Sequence, residues 1–193
     1  MGTSQADKVA NHERIIDTAA TMIRRDGLTS LSVSNLMQRA GLTHGGFYRH
    51  FASRDALITQ AVDGALDRSA SSYGIAKRGI PSKTSRSLGE IIEKYLSPTH
   101  RDDPGTGCAI AALATDVARG TEDTRTAYTQ HVHGYLGRLS AALEGSDGGD
   151  DDPYLTLAAM VGAVVLARAV NDTALSDEFL SHTARGLRRI ARS

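Results

Sequence analysis

The chain has 193 residues, 40% of them hydrophobic, so it can bury a core as one large domain or as a small domain joined to a larger one, and its single cysteine excludes a disulfide framework and a cysteine-cluster zinc site. Its 22 Lys and Arg balance its 22 Asp and Glu, with a pI near 7.1, so any footprint for nucleic acid has to be local. The start carries no basic stretch leading into an apolar one, and apolar runs such as 158–167 are short and glycine-interrupted; the expectation is a soluble, cytoplasmic protein without a membrane partner.

In chain order the apolar residues recur at helical spacing throughout. A first helix is expected over 11–26, with Ile15, Ile16, Ala19, Ala20, Met22 and Ile23 on one stripe and Gly27 as its stop. A second opens after a Ser32 cap and closes at Gly41, burying Leu36, Met37 and Ala40. Thr43 is placed to cap a third, very short helix holding Phe47, Tyr48 and Phe51, and Ser53 to cap a fourth that runs past Tyr73. Gly79, Pro81 and Ser82 mark one break, and Pro98, Pro104, Gly105 and Gly107 a second, with one amphipathic helix between them. Helices follow over 108–119 and 122–143, then an acidic, glycine-rich run over 145–152, a nearly all-round apolar helix over 154–170 opened by Pro153, and a last helix over 176–191. The fold class is all-α, with about nine helices and no credible strand.

The sharpest local signal lies between Ser32 and Asp55, where two short helices are joined by Gly41, Leu42 and Thr43. This is helix-turn-helix spacing, in which the second helix presents its start to base edges while neighbouring groups hold phosphates. That second helix carries His44, Gly45, Gly46, Tyr48, Arg49 and His50, with Arg54 just beyond and no acid from His44 to Arg54. A local basic strip therefore exists within a neutral chain. Gly45 and Gly46 lack side chains and allow close approach to DNA. Spacing alone leaves an ordinary surface helix pair equally open.

The stretch 41–57, GLTHGGFYRHFASRDAL, resembles the signature of TetR/AcrR transcriptional regulators nearly position for position, and the likeness extends over about the first 60 residues. The resemblance implies a three-helix DNA-binding domain over 1–55, and an effector-binding and dimerisation domain over 56–193. It further implies a DNA-binding regulator, not an enzyme, released from a palindromic operator by a small-molecule effector. By position, Thr43, His44, Gly45 and Gly46 would face bases or adjacent phosphates, and Tyr48, His50, Arg54 and Ser34 would contact the DNA backbone. Arg49 would read a guanine or hold a phosphate. The alternative is a helical small-molecule-binding protein or enzyme that keeps the N-terminal unit only as a scaffold.

Gly162 and Ala163 lie within the apolar penultimate helix, where small residues permit close helix packing; the resemblance makes the last two helices a homodimer interface. Tyr95, Tyr128, His131, Tyr135 and Arg168 are polar groups on otherwise apolar helices, a mixture that suits an effector cavity or a set of satisfied core residues. Cys108, at a helix start after a glycine-rich loop, joins them as an effector-side candidate. It is open between packing and electrophile sensing, since 107–125 resembles the corresponding part of an N-ethylmaleimide-responsive member of the family. His131 and His133 are two apart and so face different ways, and neither a metal nor a cofactor is expected.

Overall fold

A computed structural model describes residues 4–72, 87–143 and 152–190. Tyr73, the break at 79–82, most of the acidic run and Ala191 lie outside them. Among the described residues there are nine α-helices and one 3-10 helix, and no strand.

Helix α1 (Gln5–Asp26) starts six residues before the expected position 11. Ser4 accepts from the Asp7 amide while the Asp7 carboxylate accepts from the Ser4 amide, and this reciprocal cap extends the helix over a polar first turn. The stripe itself is buried as expected at Ile15, Ala19, Ala20, Met22 and Ile23. Gly27 ends α1 at φ 83°, a conformation that disfavours a side chain, and a Cβ there would stand 3.0 Å from the Asp116 carboxylate. Helix α2 (Val33–Arg39) is capped by Ser32, and the 3-10 helix η1 (His44–Arg49) follows. The paired glycines of η1 favour no regular α-turn. Thr43 occupies the cap position without a side-chain cap bond, so its expected role there is not taken up.

Helix α3 (Arg54–Ser72), capped by Ser53, packs on α1 with the face carrying Gln60, Gly64 and Arg68 and on α7 with the face carrying Thr59, Asp63 and Asp67. The second half of the chain holds α4 (Leu88–Tyr95), α5 (Pro98–Asp102), α6 (Ala109–Val117), α7 (Glu122–Leu143), α8 (Pro153–Ala169) and α9 (Thr173–Ile190). Pro98 was expected to mark only a break. Instead it occupies the first turn of α5, where its missing N–H is not needed, and Ser97 caps the His100 amide. Pro153 opens α8 in the same way, with Asp152 as cap. One hydrophobic core runs from α1 to α9.

Candidate nucleic-acid interface and effector-side residues

The turn before η1 is made by Gly41 at φ 71°, with the Leu42 amide donating to Met37 O and Arg14 on α1 donating to Ala40 O. Phe47 is buried and stacks with Phe51 at 5.5 Å, and Phe51 in turn stacks on His12 at 4.7 Å. Anchoring Phe47 inward points the rest of η1 outward. Ser34, Thr43, His44, Gly45, Tyr48 and Arg49 are all exposed, while Gly46 and His50 are half-buried. Tyr48 is 74% exposed, an unusual place for an aromatic ring that has Phe47 beside it. A Cβ on Gly45 would meet nothing within 4 Å, and one on Gly46 only Met37 at 3.6 Å and Thr43 at 3.8 Å. Packing therefore does not require glycine at Gly45. Burial, and then the nearby His12, Lys8 and Arg49 charges, holds the His50 imidazole below its ordinary pKa.

Arg54 is exposed and makes contacts within the chain that its sequence reading did not include. Its Nε and Nη2 donate to Leu31 O and Leu28 O at 3.2 Å each, clasping the loop between α1 and α2. The fork that was expected to face the DNA backbone is engaged inside the N-terminal unit.

The effector-side residues do not line one cavity. Tyr95, Cys108 and Tyr135 are buried in the core, with Cys108 Sγ 3.6 Å from the Tyr135 hydroxyl. Arg168 donates to His100 O at 2.7 Å and Arg101 O at 3.0 Å, fastening α8 to α5. His131 pairs across to α3 at 3.0 Å from Asp63 and 3.8 Å from Asp67. Tyr128 lines an apolar groove of about 540 Å³ between α7 and α8, where its hydroxyl donates to Ile110 O at 3.0 Å, and Arg168 borders a separate polar opening of about 340 Å³ with Arg101, Asn171 and Ser176. Burial raises the Tyr128 phenol pKa, so it stays a donor.

Two positions that the sequence reading missed organise this half. His100 is buried: the Cys108 amide donates to its Nε2 at 2.9 Å, so Nδ1 carries the proton and donates to Tyr95 O at 2.6 Å. Burial pushes its pKa down to about 4, which keeps the ring neutral. Asp116, near the end of α6, accepts the Leu28 amide at 2.8 Å and so joins α6 to the loop after α1. No spacing in the sequence marks either pairing, since Leu28 and Asp116 lie 88 residues apart.

The outer side of α8 is apolar and uncovered. Tyr154, Leu155, Val165 and Leu166 are exposed, and a Cβ on Gly162 would meet nothing within 4 Å. Ala163, paired with Gly162 in the sequence reading, is instead buried within the chain at 4% exposure. Among the described residues no three metal-binding side chains cluster, and no helix is long and apolar enough to cross a membrane.

The family model described as "Bacterial regulatory proteins, tetR family" matches residues 15–61, which span most of α1, all of α2 and η1, and the start of α3. An uncharacterized HTH-type transcriptional regulator of Mycobacterium tuberculosis is 28% identical over 170 residues, covering 83% of this chain and 85% of that protein. The transcriptional repressor NemR of Escherichia coli is 26% identical over 136 residues, covering 68% of this chain and 66% of NemR. The crystal structure of reduced E. coli NemR shares the fold, with a TM-score of 0.75 at 20% identity over 94% of this chain and 96% of that one. With the helix-turn-helix in place, the outer side of η1 exposed and these relatives aligned along most of the chain, residues 15–61 match the tetR-family model and the comparisons support a TetR-family transcriptional regulator.

Proposed function

We propose that the chain is a homodimeric repressor that binds a palindromic operator through η1 of each protomer and is released when a small molecule binds the second half of the chain. The observation that carries the reading is the outward face of η1: exposed Thr43, His44, Tyr48 and Arg49 stand on a turn fixed from within by Phe47, with no acid as far as Arg54. Such a surface suits phosphates at its edges and bases at its centre. Ser34, at the exposed start of α2, adds a phosphate donor, and His50 adds a second at the end of the turn. The apolar outer face of α8, with exposed Leu175 on α9 beside it, supplies the dimer surface that a palindrome requires. NemR and KstR2 are named repressors, which favours repression over activation.

Release would work through differential affinity of the effector for two spacings of the reading turns. The bond from Leu28 N–H to Asp116 is a direct polar link from α6 to the N-terminal unit and supports that route. A gel shift of the full chain against the DNA upstream of its own coding region tests the reading. The expected result is a discrete complex whose affinity falls steeply with salt and which Tyr48→Ala together with Arg49→Ala weakens at least about tenfold. Equal binding to random DNA by both proteins would overturn it.

A further inference from the structure

We propose that the groove between α7 and α8 takes an uncharged, largely apolar small molecule, and that a second copy of the chain forms its roof. The proposal deepens the reading of the chain as an effector-released dimer and rests on it. Ile110 and Leu136 form the floor, Tyr128 and Val132 one wall, and Leu157 and Val161 the other. No Asp, Glu, Lys or Arg is among the described residues lining the groove, so a charged ligand would lose its hydration without a partner. At about 540 Å³ the groove is the size of a small-molecule site. Tyr128 donates to Ile110 O, which leaves its phenolic oxygen able to accept one hydrogen bond from a ligand. Thr129 and His133 add further hydrogen-bonding groups to the lining, and the Tyr128 contact sits on the carbonyl of the second residue of α6, the helix whose other end holds Leu28 through Asp116.

The groove is open on the side of Tyr154 and Ala158, both exposed. Bound small molecules bury most of their surface, and two walls and a floor leave a ligand here half wet. Tyr154, Ala158, Val161 and Val165 follow one another at helical spacing, beside Leu155, Gly162 and Leu166. The mouth of the groove and the outer face of α8 are thus one apolar surface, and a partner helix laid on that face would also cover the mouth.

The test uses N-phenyl-1-naphthylamine, an uncharged apolar fluorophore, titrated against the full chain. Saturable enhancement is expected with the wild-type dimer. Val132→Trp, which fills the groove from the α7 side away from the α8 outer face, is expected to weaken binding at least about tenfold, as is Leu166→Arg, which lies outside the groove and separates the protomers. Each variant is checked by circular dichroism and sedimentation. A dilution series of the wild type across its own dissociation gives the same comparison without substitution, and probe affinity is expected to fall with the dimer. Wild-type affinity in Val132→Trp, undiminished affinity in dissociated protein, or no saturable binding by the wild-type dimer would each overturn the proposal. A gel shift in parallel separates the two readings: Val132→Trp should still bind DNA, whereas loss of DNA binding by the wild type would remove the regulator and leave the probe result standing.

Discussion

The N-terminal unit of α1, α2 and η1 and the body built from α4 to α9 expose opposite kinds of surface. The first buries most of its hydrophobes and turns polar groups outward on η1, with Val9 and Tyr48 as the exposed exceptions. The second leaves Tyr154, Leu155, Val165, Leu166 and Leu175 to solvent while burying His100 inside. A self-contained unit with a polar outer turn suits a partner rich in charge and water, and an uncovered apolar face suits another protein surface or an oily ligand. The difference also concerns what holds each part. Stacked Phe47, Phe51 and His12 fix the reading turn, whereas the centre of the body depends on hydrogen bonds that meet at one imidazole.

The largest effect that would sharpen this contrast is expected at His100. In His100→Ala the Cys108 amide and the Tyr95 carbonyl lose their partner in the core, at a cost of about 3 kcal/mol in chemical denaturation. The same residue gives a pH signature. Its folded pKa of about 4 lies below the ordinary 6.5, so on acidification the unfolded chain takes up a proton that the native ring refuses. The contribution of neutral His100 is full above about pH 6.5 and is lost progressively from there towards pH 4, by up to about 3 kcal/mol. Comparing the acid dependence of Tm in the wild type and in His100→Gln checks this, and parallel curves for the two would show that the imidazole is not the keystone of the body.

A smaller effect is expected within the N-terminal unit. Arg54→Ala removes two bonds to the α1–α2 loop and should cost about 1 kcal/mol, given its exposure. The slope of operator affinity against salt should stay unchanged, while Arg49→Ala lowers it by about one per protomer. A lowered slope in Arg54→Ala would return that guanidinium to the DNA. The smallest effect is expected for Gly45→Ala: stability within about 0.5 kcal/mol of wild type, because the new methyl meets no neighbour, but weaker operator binding. Unchanged binding there would mean that the DNA does not approach η1 closely at that residue.

Most of the helices were legible because caps and apolar periodicity are local, as at Ser32, Ser53 and Pro153. The start of α1 was not, because its first turn has no apolar stripe and depends on the Ser4–Asp7 exchange. The motif located the short helix η1 and its exposed residues, since a short helix with one inward Phe has little choice of orientation. It could not reveal that Arg54 bends back onto Leu28 and Leu31, because guanidinium reach is settled by the loop it meets. In the body, composition singled out polar residues on apolar helices without telling a cavity from a strut. Arg168 and His131 are struts between helices, and Tyr128 alone of the set reaches the groove.

On the proposed function, the empty space around Gly45 means that the surface offered to an operator can be redrawn without redrawing the scaffold beneath it. A side chain introduced there would project away from Phe47 and Met37, so its chemistry would be felt by the DNA and hardly at all by the fold. Retargeting this regulator to a new sequence is then a problem of vocabulary at one or two positions, with the grammar of the turn left intact.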